Sequence, residues 1–331
     1  MTASAMVAEF DDVAGWTAEA VELLGERHAI PAACRGSASP AALAWLAEAC
    51  ELSAGTTLLD VGAGAGGPAA WAAERFGVRP ILVERMPAAC RAAARLFGLP
   101  VITADGARIP LRTGSADAAW CLGVLDTVRD KAAVLGEIKR VLAPGGSLGL
   151  LVVVARSPRV RAAPDGNHFP TQRELAALLD AAGFDLVEQI DRPGSAPLAW
   201  SRRAEQVAAV VAARHRGDRA YALAAGQGER LARLLASGRL SMQLVHAVSR
   251  PVRRASNTQG EGMNEHGDGG FEIELEVEIE AELTLVESSR AGEAAESPAA
   301  EWLFDPTDAE RDEVGLRNLL GAAEALEGEH E

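Results

Sequence analysis

The stretch Leu58-Leu59-Asp60-Val61-Gly62-Ala63-Gly64-Ala65-Gly66 constrains this chain more than any other. An apolar run that reads as a strand ends in three alternating glycines, and Pro68 opens a helix directly behind them. Lacking Cβ atoms, such glycines let a ligand approach the main chain closely. The free amides of the following helix then face that ligand. Gly62, Gly64 and Gly67 also satisfy Gly-x-Gly-x-x-Gly, so the turn alone fits a nicotinamide-dinucleotide fold equally well.

Around the turn the pattern is one of short apolar runs alternating with helix-like segments. Strands are expected at Thr57–Val61, Ile81–Val83, Val101–Thr103, Ala118–Cys121 and Leu148–Val154, with helices at Pro68–Phe76, Ala88–Phe97 and Lys131–Leu142. Such alternation implies βαβ units and a parallel sheet. Thr171 and Glu174 make a capping box for a helix over Leu175–Ala182, followed by a strand at Phe184–Ile190. Two helical stretches, about 204–214 and 219–235, precede a last strand at Ser241–Val248. Helices placed there are expected to cover the ligand edge of the sheet as a lid. Residues 1–55 read as a helical cap, with Val13, Trp16, Ala20, Val21 and Leu24 at helical spacing.

Charge divides the chain. The net charge of −15 arises from residues 255–331, which hold 22 acidic and 3 basic side chains; the rest holds 25 and 29. A nearly neutral body without a Lys/Arg cluster gives no support for nucleic-acid binding. From Phe271 to Leu285 the odd positions are apolar and nearly every even one is Glu, the period of a strand with one buried face. We expect that strand to pair with another edge, as in a homodimer, and a short capped helix to begin at Thr307. No apolar run approaches the roughly 18–20 residues of a membrane span. The N-terminus lacks a secretory signal pattern. Cys34, Cys50, Cys90 and Cys121 lie far apart, so neither a zinc site nor a disulfide framework is expected and the setting reads as cytoplasmic.

Further residues narrow the ligand. The strand Ile81–Val83 ends in Glu84-Arg85, where a carboxylate can take both hydroxyls of a ribose in either fold class. The third strand runs into Ala104-Asp105-Gly106 with Pro110 nearby, and the fifth follows Arg140-Val141-Leu142-Ala143-Pro144-Gly145-Gly146. With this ordered set the chain resembles the class I S-adenosylmethionine (SAM)-dependent methyltransferases, in particular the small-molecule group related to the ubiquinone/menaquinone methyltransferases. The resemblance covers about residues 55–250, with its motifs in 58–154.

It implies a doubly wound, Rossmann-like α/β domain over 56–250. Around it stand the N-terminal helical cap of residues 1–55, an inserted helical lid at 192–238 and an acidic C-terminal extension at 251–331. It also implies SAM as cofactor and methyl transfer to an O, N or C atom of a small metabolite. Gly62, Ala63, Gly64 and Gly66 would wrap the methionine part, with Asp60 supporting the turn. Glu84 and Arg85 would meet the ribose, Asp105, Gly106 and Ala107 the adenine, and Cys121, Leu122 and Gly123 the sulfonium end. His168, in Gly166-Asn167-His168-Phe169-Pro170, falls where the family places substrate-facing residues and has the ordinary pKa range of a general base. Asp126 stands where many relatives carry histidine, and is the second candidate. His28 and His215 read as surface or lid residues.

Absent motifs exclude some acceptors. No Asn/Asp-Pro-Pro-Tyr/Phe follows the fourth strand, no Pro-Cys pair exists, and no cysteines are paired. Amino methylation of DNA bases, cytosine C5 methylation and arsenic methylation are thereby disfavoured. A SAM-binding regulator or scaffold without transfer, and a nicotinamide-dependent oxidoreductase, are the competing readings.

Overall fold

Leu58, Leu59 and Val61 are all fully buried, so the first strand is covered on both faces, and that fixes the layering of the whole domain. The computed structural model describes residues 8–34, 38–191 and 196–251. Its strands are β1 Thr57–Val61, β2 Arg79–Glu84, β3 Val101–Thr103, β4 Ala116–Leu122, β5 Leu142–Ala155, β6 Phe184–Asp191 and β7 Leu240–Ser249. They form one sheet in the order β3-β2-β1-β4-β5-β7-β6.

β1 to β5 pair in parallel, whereas β7 lies antiparallel between β5 and β6. The sequence alternation predicts only parallel pairing, and the last strand departs from it for a topological reason. The two inserted helices return the chain to the edge it left, where Leu240 pairs with Ala155 at the end of β5. A strand starting at the carboxyl ends of its neighbours can only run back against them.

Helices cover both faces in accord with the two-residue period of the strands. Leu58, Trp120, Leu151 and Leu244 pack on α3 (Pro40–Ala49) and α4 (Gly67–Phe76), through Leu43, Leu46 and Trp71. Leu59, Cys121, Leu150 and Val245 face the other way, onto Leu135 and Ile138 of α6 (Lys131–Val141) and Leu175 and Leu179 of α7 (Gln172–Ala182). Each leucine buried this way contributes about 2 kcal/mol. The Thr171–Glu174 capping box is formed, and Gly183 in the left-handed conformation ends α7. Helix α5 (Pro87–Phe97) lies against β2 and β3.

The Pro144-Gly145-Gly146 segment belongs to β5 rather than preceding it. Ala116 pairs with Leu142 but Ala118 pairs with Ser147, so the extra residues form a bulge. The N-terminal α1 (Val13–Leu24) and α2 (Ala29–Ala33) pack on the inserted α8 (Leu198–His215) through Ala20, Val21, Ala29, Val207 and Val211. Trp16 stacks on His215 at 4.1 Å. His28, expected as a surface or lid residue, is not at the surface. It is buried, with Nε2 2.9 Å from Gln206 Oε1 and Nδ1 3.1 Å from the Gly25 carbonyl. A second inserted helix, α9 (Arg219–Ala236), brings Leu234 onto Val153, Phe169 and Leu240 at the carboxyl edge. The described residues form one compact unit; the alternating segment 271–285 and the helix expected after Thr307 lie outside them.

Gly67, the third glycine of the dinucleotide-like spacing, is small for a packing reason. A Cβ there would stand 2.6 Å from both Ala33 C and Cys34 N at the end of α2. Gly→Ala in a helix ordinarily stabilises by about 0.5–1 kcal/mol. Here we expect Gly67→Ala to destabilise by about 1–3 kcal/mol, because backbone must move. Urea denaturation measures it, and a stabilised variant would refute the close packing of α2 on α4.

Candidate functional site

The glycine turn sits at the carboxyl ends of the parallel strands, where open α/β sheets bind ligands. Gly62, Gly64 and Gly66 all have positive φ, at 71°, 54° and 83°. A Cβ on Gly62 would stand 2.3 Å from Val124 Cγ2, whereas Gly64 faces open space. The turn is closed from the β2 side: Gly62 N donates to the Val83 carbonyl at 2.7 Å. Glu84 completes it, its Oε2 accepting from Gly64 N at 2.9 Å and its Oε1 from Met86 N at 2.8 Å. One carboxylate thus joins the β1–α4 turn to the β2–α5 turn.

Beneath the turn lies Asp60, 1% exposed, with Oδ2 lacking any hydrogen-bond partner among the described residues. Burial, then the nearby Glu84 charge, push its pKa up from the ordinary 3.8 to about 7. Two buried carboxylates under an open glycine turn suit a cationic ligand. Cys121 is wholly buried in the core and burial pushes its thiol pKa up, so its side chain is a packing group.

Two adjoining cavities follow the turn outward. The inner one, about 90 Å³, is lined by Gly62, Gly64, Glu84, Arg85, Gly106 and Gly123. Asp105 and Arg85 line both it and the second, about 500 Å³, which Ala107 and His168 also reach. Of the remaining sequence candidates, Ala63 packs on Ala69 and Leu82, a Cβ on Gly66 would also meet Leu82, and Leu122 packs towards α3 and α4. None of these, nor Asp60 or Cys121, lines either cavity. Asp105 Oδ1 accepts from Ala107 N at 2.9 Å, shaping its own turn.

The two catalytic candidates meet. Asp126 is buried, and its carbonyl accepts from His168 N at 2.6 Å and from Asn167 Nδ2 at 3.4 Å. His168 Nε2 accepts from Arg129 Nε at 3.1 Å, which places the ring proton of neutral His168 on Nδ1. Burial, then Arg129 and Lys131, hold the His168 pKa below its ordinary value. Sequence reasoning missed Arg129 and Phe10. Phe10 lines the inner cavity because Asp11 beside it accepts from Ala88 N and Ala89 N at 2.5 and 3.3 Å, capping α5. No spacing in the sequence signals that contact. Among the described residues, no three His, Cys, Asp or Glu side chains form a metal-binding group.

Asp60 gives a pH signature. An acid whose folded pKa is raised binds more protons folded than unfolded, so its contribution to stability falls as pH rises from about 4 to about 7. Asp60→Asn should therefore gain stability relative to the parent across that window and level off above it. Denaturation midpoints followed with pH check this; a constant difference would contradict the burial of a titrating Asp60.

Comparison with known proteins agrees with this fold. The methyltransferase-domain family matches residues 59–150. Methyltransferase GfsG of Streptomyces halstedii is 34% identical over 163 residues, 44% of this chain and 59% of that protein. The ubiquinone biosynthesis O-methyltransferase of Xylella fastidiosa (strain M23) is 31% identical over 196 residues, 51% of this chain and 76% of that protein. The chain spans less than two thirds of the length of GfsG and of the Xanthomonas oryzae ubiquinone biosynthesis O-methyltransferase. The crystal structure of the [4+2]-cyclase SpnF aligns with a TM-score of 0.52 and 26% identity, over 65% of this chain and 84% of that one. Fold, glycine turn and relatives agree, and this chain belongs to the class I SAM-dependent methyltransferase family.

Proposed function

We propose that the chain transfers the methyl group of SAM to an O, N or C atom of a small-molecule acceptor. The observation that carries this is the open turn at Gly64, held by Glu84 and backed by the buried Asp60, with His168 on the adjoining cavity. SAM supplies a sulfonium-borne methyl group, which reacts by in-line displacement, so alignment provides much of the acceleration. In this reading the backbone of Gly62, Ala63, Gly64 and Gly66 surrounds the methionine part, and Asp60 and Glu84 compensate its positive charge. Glu84 retains lone pairs beyond its two amide contacts, and with Arg85 these meet the ribose. Asp105, Gly106 and Ala107 face the adenine, and the backbone of Cys121, Leu122 and Gly123 the sulfonium end.

His168 stays neutral at neutral pH and takes the acceptor's proton once its Arg129 contact is exchanged for the acceptor. Asp126 positions it through the carbonyl contact. Calorimetry with SAM and S-adenosylhomocysteine tests the binding half; no binding of either at millimolar concentration would overturn it. Glu84→Ala should weaken both. The likeness to SpnF, named a cyclase, makes turnover the deciding measurement. Labelled SAM with a metabolite extract should yield labelled product, and binding without transfer would favour a SAM-binding regulator instead. His168→Ala should lower kcat about 10²–10⁴-fold and leave SAM affinity unchanged.

Two further readings belong with this one. The four cysteines are free and buried, in keeping with a reducing, cytoplasmic setting. Among the described residues no helix is long and apolar enough to cross a membrane. We also propose that the segment 271–285 pairs two copies of the chain as a homodimer. Light scattering before and after removal of 255–331 decides it: the mass should fall from that of two full chains to that of one shortened chain, and an unchanged oligomeric state would refute the pairing.

A further inference from the structure

A larger concavity adjoins the 500 Å³ cavity at His168. It holds about 1040 Å³, and Arg129, Asp130 and His168 line both it and the 500 Å³ cavity. His168 therefore stands on the shared wall of the two cavities. The volume is at the upper end for a small-molecule pocket.

The lining has two characters. Val160, Ala163, Phe169, Pro170, Ala177 and Leu178 give it an apolar wall. Arg129, Lys131, Arg159 and Arg161 give it four cations, against two carboxylates, Asp130 and Glu174. Both carboxylates are engaged. Asp130 Oδ1 accepts from Ala133 N at 3.0 Å as the cap of α6, and Glu174 Oε2 accepts from Thr171 N at 2.8 Å and Thr171 Oγ1 at 2.9 Å. Lys131 is also engaged, donating to the Val128 carbonyl at 2.7 Å. Arg159 and Arg161 form no ion pair among the described residues. Exposed guanidinium groups gathered on a concave surface create a positive field that draws in anions and recognises oxyanions with paired donors.

We propose that the methyl acceptor is an amphiphilic acid, an apolar body bearing a carboxylate or phosphate, and that Arg159 and Arg161 hold its anionic group in the outer cleft. This rests on the methyl-transfer reading above. The apolar body lies along Val160, Phe169 and Leu178, and the nucleophilic atom extends towards His168. Arg129 contacts His168 through Nε until the acceptor takes its place, while Arg159 and Arg161 read the charge.

The test uses the full chain saturated with S-adenosylhomocysteine, titrated by calorimetry with benzoate, phenyl phosphate and the neutral benzamide. Benzoate or phenyl phosphate should bind about tenfold or more tightly than benzamide, and increasing salt should weaken the anions alone. Whichever anion binds more tightly identifies the acidic group. The double variant Arg159→Gln, Arg161→Gln should lose the preference while keeping its affinity for S-adenosylhomocysteine, which also confirms that it is folded. Equal binding of benzamide, an anion preference that survives in the double variant, or no binding by any probe would overturn the proposal. Should the variant fail to fold, the salt dependence of the unaltered protein decides the same question. Loss of S-adenosylhomocysteine binding by the unaltered protein would sink the methyl-transfer reading instead, so the two failures are distinguishable.

Discussion

The Glu84 carboxylate, bridging Gly64 N and Met86 N, is the contact on which the site depends. Hydrogen bonds from amides to a charged carboxylate contribute about 1.5–3 kcal/mol each. These two span separate strand-to-helix turns, so their loss would release both turns at once. The left-handed conformations of Gly62, Gly64 and Gly66 give the turn its shape, but glycine is also the residue with most freedom to lose. A fixed acceptor at Gly64 compensates for that freedom. The shape imposed by glycine and the rigidity imposed by Glu84 are therefore parts of one device.

The same device charges its surroundings. Glu84 is one of the causes of the raised Asp60 pKa, so Asp60 shares its proton with the solvent near neutral pH instead of being a fixed anion. Asp60 Oδ2 has no described partner, and a buried polar atom of that kind is costly unless something completes it. A cation above the turn would lower the cost for both carboxylates together. Binding and turn stability are linked through this one pair of acids.

Much of this was legible in the chain. Strands β1 and β3 coincide with the predicted runs, because continuous apolar stretches bounded by turn residues leave little freedom in placement. The capping box at Thr171 is equally local. What could not be read depends on contacts distant in sequence. The reversal of β7 follows from where the inserted helices return the chain. His28 is buried and paired with Gln206, 178 residues later. Phe10 lines the cavity beside Asp11, which caps a helix 77 residues away. Arg129 had no signal beyond lying after the fourth strand, and its relation to His168 spans 39 residues. Gly67 was legible as a motif member, but its reason, the nearness of α2, was not.

The inserted α9 is tied to the loop that carries His168. Gln227 of α9, 1% exposed, donates to the Asp165 carbonyl at 3.0 Å and accepts from Asp165 N at 3.1 Å. One side-chain amide thus satisfies both backbone groups of a residue three positions before His168. From the other side, His168 N is held by the Asp126 carbonyl. Moving α9 alone would leave two backbone groups without partners, at about 1–3 kcal/mol each where they remain shielded from water. The helix and the His168 loop are therefore coupled, and displacing α9 alone is disfavoured over moving the two together.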